Sequence, residues 1–139
     1  MIRITDILDQ ASAYLPASDV ALVQKAYVFS AAAHAGQIRL SGEPYLSHPL
    51  EVSHILADLR LDAATIAAGL LHDTVEDTEA SIVQISNQFG PDVAAIVEGV
   101  TKISKMNFES KEQAQAENML TKALGGLIAL GYAYWVWLL

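Results

Sequence analysis

His72, Asp73, Glu76 and Asp77 crowd into one short stretch, "GLLHDTVEDT" (69–78), directly after an apolar run. On a helix, residues three and four apart share a face. His72 then lies beside Glu76, and Asp73 beside both Glu76 and Asp77. Grouped carboxylates repel one another, and a helix C-terminus disfavours negative charge. A bound divalent cation would reverse both penalties. Imidazole and carboxylate donors without thiolate suit manganese, iron or zinc. A solvated helix end is the other reading, and the stretch alone does not choose between them. His48 supplies a possible partner from elsewhere in the chain. It sits in "EPYLSHPLEV", framed by Pro44 and Pro49, which restrict the backbone on both sides. A helix start at this point can aim the imidazole at a neighbouring helix end. His54, next to Ile55 and Leu56, reads as structural or exposed. His34 closes "AAAHAGQ", where it either bonds last-turn carbonyls or shapes a substrate site.

These groups need elements to position them, and helical periodicity dominates the chain. "SDVALVQKAYVFSAAAHAG" reads as a helix capped by Ser18 or Asp19. Its apolar face runs through Leu22, Ala26, Phe29 and Ala33, and Gly36 stops it. "QIRLSGEPYLSHP" reads as a loop. A helix with Pro49 in its first turn follows. Asp62 caps one continuous helix over 63–77. Another spans about 81–89 and ends at Gly90, and "PDVAAIVEGVTKIS" runs helical to about Lys102. No alternating strand pattern, repeat or linker competes. The expected class is all-α, as a single domain over 1–139.

Composition narrows the function. Of the 139 residues 53 % are hydrophobic and 17 % charged, which excludes disorder for most of the chain. The absence of cysteine excludes a disulfide scaffold, thiolate-bound zinc and a cysteine nucleophile, and it is compatible with a reducing compartment. "MIRITDILDQ" lacks the features of a signal peptide, so a cytoplasmic location is expected. A net charge of −8 argues against general nucleic-acid binding. One small anionic nucleotide can still bind through a metal or a local basic cluster. Residues 123–139 carry no charge but fall short of the ~20 apolar residues usual for a span. Burial is the preferred reading of this tail, and a membrane or partner contact is the alternative. Nothing in the sequence sets an oligomeric state.

"AAAHAGQIRLSGEPYLSHPLEVSHILADL", "TIAAGLLHDTVEDT", "FGPDVAAIVEGVTKIS" and "ESKEQAQAEN" occur in this order and spacing. Together they resemble the HD hydrolase domain of RelA/SpoT-type alarmone enzymes, over about 20–118. The resemblance implies an all-α HD bundle that binds one manganese ion, with zinc or iron as other options. It implies hydrolysis of the 3′-pyrophosphate of guanosine tetra- or pentaphosphate, (p)ppGpp, to GDP or GTP plus pyrophosphate. It assigns His48, His72 and Asp73 as metal ligands, and Glu76 and Asp77 to orient or activate the attacking water. Arg39 would contact the nucleotide or its phosphates. Thr101 and Lys102, in the family's "GVTK" turn, support either the fold or the site, and His34 is a further candidate on the substrate side.

Two departures from the family pattern stand out. Leu40 occupies a position where the family usually has a basic residue. "MLTKALGGLIALGYAYWVWLL" replaces the family's segment that carries a fourth ligand aspartate and a substrate-binding asparagine. No Asp or Glu occurs after Glu117. The tail looks like a truncation or frame change, so poor or absent hydrolysis is expected. The chain is then an alarmone hydrolase, stand-alone or a fragment of a longer bifunctional protein. The alternative is an inactive relative that binds nucleotide or protein. A different HD phosphohydrolase is a third option, against which the "SGEPYLSHP" loop argues.

Overall fold

The computed structural model describes residues 2–37 and 45–105. Every regular element among them is helical: α1 (Ile4–Ser12), α2 (Ala17–Ala33), α3 (Ser47–Asp58), α4 (Ala63–Leu71), α5 (Thr74–Asp77), α6 (Ile82–Phe89) and α7 (Pro91–Lys105). The fold is an all-α bundle, as the periodicity requires. Arg39, Leu40 and the apolar tail 123–139 lie outside the described residues.

The bundle is built around α4. Eight of its residues are buried, Ala63, Thr65, Ile66, Ala67, Ala68, Gly69, Leu70 and Leu71, so it is apolar all round and packs on several sides. Helices α2, α3 and α7 all pack against it, while α1 closes over α2 and α3. Asp62 caps α4 through Oδ1, which accepts the Thr65 N–H at 3.0 Å. Where α4 passes α3 the side chains are small. A Cβ added at Gly69 would meet Ser53 Oγ at 2.7 Å and Leu56 Cδ1 at 2.8 Å. At the same crossing Ser53 Oγ donates to the Ile66 carbonyl at 3.0 Å. The turn joining α3 to α4 is pinned from the turn that follows α1, because Tyr14 donates its hydroxyl to the Leu61 carbonyl at 2.6 Å. Its ring also lies under the Arg60 guanidinium. A turn this short makes α3 and α4 antiparallel, so the first turn of α3 lies beside the last turn of α4.

Several sequence expectations need correction. Helix α2 starts at Ala17 with Pro16 as its N-cap, not Ser18 or Asp19; a proline at the cap gives up no needed N–H. The expected single helix over 63–77 is two, α4 and α5, broken at His72 and Asp73. Side chains take carbonyls at that break: His72 Nδ1 lies 2.6 Å from the Gly69 carbonyl, and Thr74 Oγ1 donates to the Leu71 carbonyl at 2.7 Å. Helix α7 runs past the expected end near Lys102 to Lys105, so the "GVTK" that the family resemblance describes as a turn lies within a helix. Helix α1 was not foreseen. It buries Ile7 and Ala11, four apart on one face, and the Asp6 carboxylate accepts the Arg3 N–H at 2.9 Å. Ser81 caps α6, and Gly90, at φ +95°, separates it from α7.

Candidate metal centre

The antiparallel α3–α4 pair brings His48 and His72 together. Their Nε2 atoms are 3.2 Å apart. Asp73 Oδ1 lies 3.1 Å from His72 Nε2, and Asp73 Oδ2 lies 3.8 Å from His48 Nε2. All three residues are buried. The helix break is what turns Asp73 inward beside His72. The Gly69 carbonyl can only accept, so His72 Nδ1 carries the proton and its Nε2 presents a lone pair. That lone pair faces the carboxylate and the second imidazole. With His48 Nε2 also unprotonated, a cation between the three groups would replace the repulsion of their lone pairs with three bonds. Two ligands of one ion at about 2.1 Å are at most about 4.2 Å apart, so these separations fit a single ion. Two imidazoles and a carboxylate without thiolate form a borderline N/O donor set, which can hold a divalent metal.

Glu76 and Asp77 are not in this buried group. They are exposed, and they line an adjoining open cleft of about 690 Å³ with Phe29, Ala32, Gln37 and Gln84. Partial burial pushes the Asp77 carboxyl above its ordinary range, with the Asp73 and Glu76 charges adding to the rise and His34 and His72 opposing it. Behind the cleft wall, His34 ends α2 as its C-cap and is buried. Its ring stacks on Tyr45, with centroids 5.5 Å apart and planes 8° from parallel. His34 Nδ1 lies 3.2 Å from Gln37 Oε1, and Gln37 Nε2 donates to the Asp77 carbonyl at 3.2 Å.

The remaining candidates lie apart from these groups. Thr101 is buried in α7 and spends its hydroxyl on the Val97 carbonyl at 2.8 Å. Lys102 is exposed on α7 and pairs with Glu98 at 3.5 Å. His54 pairs with Asp58 one turn along α3 at 3.6 Å. Sequence reasoning passed over Gln37 and Gly69. A glutamine at a helix end and a glycine in an apolar helix carry no distinctive signal; only the neighbours they meet reveal their roles.

A family model for the HD domain matches residues 26–125. GTP pyrophosphokinase rsh of Brucella ovis is 48 % identical over 119 residues, covering 86 % of this chain and 16 % of that protein. GTP pyrophosphokinase of Myxococcus xanthus is 54 % identical over 110 residues, 77 % of this chain and 14 % of that protein. The bifunctional (p)ppGpp synthase/hydrolase SpoT of Escherichia coli K12 is 48 % identical over 105 residues, 76 % of this chain and 15 % of that one. The chain thus spans about one sixth of the length of the curated relatives it matches. Among solved structures, a metazoan ortholog of SpoT that hydrolyses ppGpp superposes with a TM-score of 0.58 at 34 % identity, covering 73 % of this chain and 57 % of that one. The chain belongs to the HD-domain family, as a homologue of the RelA/SpoT-type proteins.

Proposed function

We propose that this chain carries the hydrolase chemistry of alarmone turnover, removing the 3′-pyrophosphate of (p)ppGpp to give GDP or GTP and pyrophosphate. The observation that carries the reading is a buried two-imidazole, one-carboxylate donor set joined through the single turn of α5 to the carboxylates of an open cleft. The substrate class comes from the relatives, whose names place them in (p)ppGpp metabolism. His48, His72 and Asp73 hold one divalent ion, which we take to be manganese. Such an ion, when bound, acidifies water and offsets phosphate charge. Glu76 and Asp77 orient the attacking water at the cleft and accept its proton. Asp77 is the better-matched base, because burial and its acidic neighbours raise its proton affinity. The water oxygen bonds to phosphorus, the bond from phosphorus to the ribose 3′ oxygen breaks, and that oxygen leaves with the bonding pair and becomes a hydroxyl by taking up the proton removed from the water. Arg39 contacts the phosphates, and His34, Thr101 and Lys102 support the substrate side or the fold around it. The reaction takes place in the cytoplasm.

One observation favours a second reading. Among the described residues the donor set has three ligands, and no Asp or Glu occurs in 118–139. An inactive relative that binds nucleotide without turning it over is this second reading. Pyrophosphate release from 3′-labelled ppGpp, with and without manganese, tests both readings. Manganese-dependent release that Asp73→Asn abolishes supports the hydrolase. A ppGpp-induced thermal shift without release supports the binder. Neither release nor shift overturns both.

A further inference from the structure

His34 neither ligates nor lines the cleft, yet it contacts Gln37 of the cleft lining and Tyr45 just ahead of α3. On one face its ring stacks on Tyr45, three residues before His48. At its edge Nδ1 meets Gln37, whose amide holds the backbone of Asp77. The tautomer follows from the partners. The Asp77 carbonyl can only accept, so Gln37 turns its NH2 toward Asp77 and its oxygen toward His34. His34 Nδ1 must then carry the proton. Helix α5 is a single turn, held internally by the Asp77 N–H on the Asp73 carbonyl at 2.9 Å and the Thr78 N–H on the Thr74 carbonyl at 3.1 Å. An element so short relies on bonds from its neighbours to fix where its last residue points.

We infer that His34 is a positioning residue: through Gln37 it fixes the turn that carries Asp77, while Tyr45 locks its ring from the opposite side. The inference takes its catalytic readout from the hydrolase reading but has a structural readout of its own. His34→Phe keeps a ring for Tyr45 and removes the donor. His34→Asn keeps a donor near Nδ1 and removes the stack. For ppGpp hydrolysis with manganese, His34→Phe lowers kcat about tenfold with KM and manganese affinity little changed, because a slightly misaimed base costs rate rather than binding. His34→Asn recovers part of the loss. In a Gln37→Ala background, His34→Phe costs nothing further, since the relay is already cut. A wild-type kcat in His34→Phe, or additive losses in the double variant, overturns the inference.

The second readout is the 15N shift pattern of the His34 ring in the metal-free protein. The inference requires a protonated Nδ1 whose resonance moves in Gln37→Ala. An Nε2-protonated ring, or an Nδ1 indifferent to Gln37→Ala, overturns it whatever the turnover. If the shifts hold but the wild type does not hydrolyse ppGpp, the relay stands and the hydrolase reading fails.

Discussion

Replacing Gly69 with alanine tests whether the close crossing of α3 and α4 sets the metal site. In an unpacked helix the change would stabilise by about 1 kcal/mol. Here the new Cβ would sit 2.7 Å from Ser53 Oγ, about 0.7 Å inside the shortest ordinary contact of 3.4 Å. Ser53 cannot simply rotate away, because its hydroxyl is committed to the Ile66 carbonyl. Overpacking of this kind costs about 1–3 kcal/mol, so after the helix gain the net loss is about 0–2 kcal/mol. The site feels the same displacement. With bonds of about 2.1 Å, imidazole nitrogens 3.2 Å apart subtend about 100° at an ion; widening the gap by 0.7 Å opens that to about 135°. Manganese affinity should fall at least tenfold, about 1.4 kcal/mol. Urea unfolding of the metal-free protein and calorimetric manganese titration measure the two effects. Adding Ser53→Ala removes the 2.7 Å contact and should restore much of both, since the remaining close atom, Leu56 Cδ1, is the end of a rotatable branch. A Gly69→Ala protein that is more stable by about 1 kcal/mol and binds manganese normally would refute the reasoning.

Other expectations follow from single features. Asp77→Asn should raise the melting temperature of the metal-free protein at pH 7. The folded state raises the Asp77 pKa, so its ionised form opposes folding; that penalty is absent below the ordinary carboxylate range, about pH 4, grows as pH rises through the folded pKa, and then stays constant. Melting curves from pH 3 to 8 should therefore show the gain vanishing in acid. Asp62→Ala should cost about 1 kcal/mol in urea unfolding, from the lost cap on Thr65. Manganese at about a hundred times its Kd should stabilise the protein by about 2.7 kcal/mol, a shift that His48→Ala should remove while leaving the metal-free protein folded.

Much of the frame was legible because it rests on local chemistry. Asp62, Ser81 and Gly90 announce helix boundaries with side chains or backbone freedom that act within three residues. The break between α4 and α5 was not legible. Residues 63–77 contain no proline, and the only glycine, Gly69, lies inside α4 rather than at the break. His72 and Thr74 make the break by bonding nearby carbonyls, a choice settled by burial rather than propensity. That detail changed the site. On one continuous helix His72, Asp73, Glu76 and Asp77 would have formed a single cluster. The break sends His72 and Asp73 inward to His48 and leaves Glu76 and Asp77 on the cleft. Helix α1 was missed for a related reason: it is short, and Ile7 and Ala11 gain their value only against α2 and α3.

The α3–α4 hairpin also sets an order of assembly. His48 and His72 are 24 residues apart in sequence, so their meeting closes a short loop at an entropic cost of about 3 kcal/mol. Among the described residues the three donors all come from the segment 48–73. A nascent hairpin can thus capture an ion while the rest of the bundle is still unformed. An ion captured that early would act before the rate-limiting step, and added manganese should then raise the refolding rate more than it slows unfolding. On the proposed metal reading, metal supply would then bear on how fast the chain matures, and not only on how stable it is once folded.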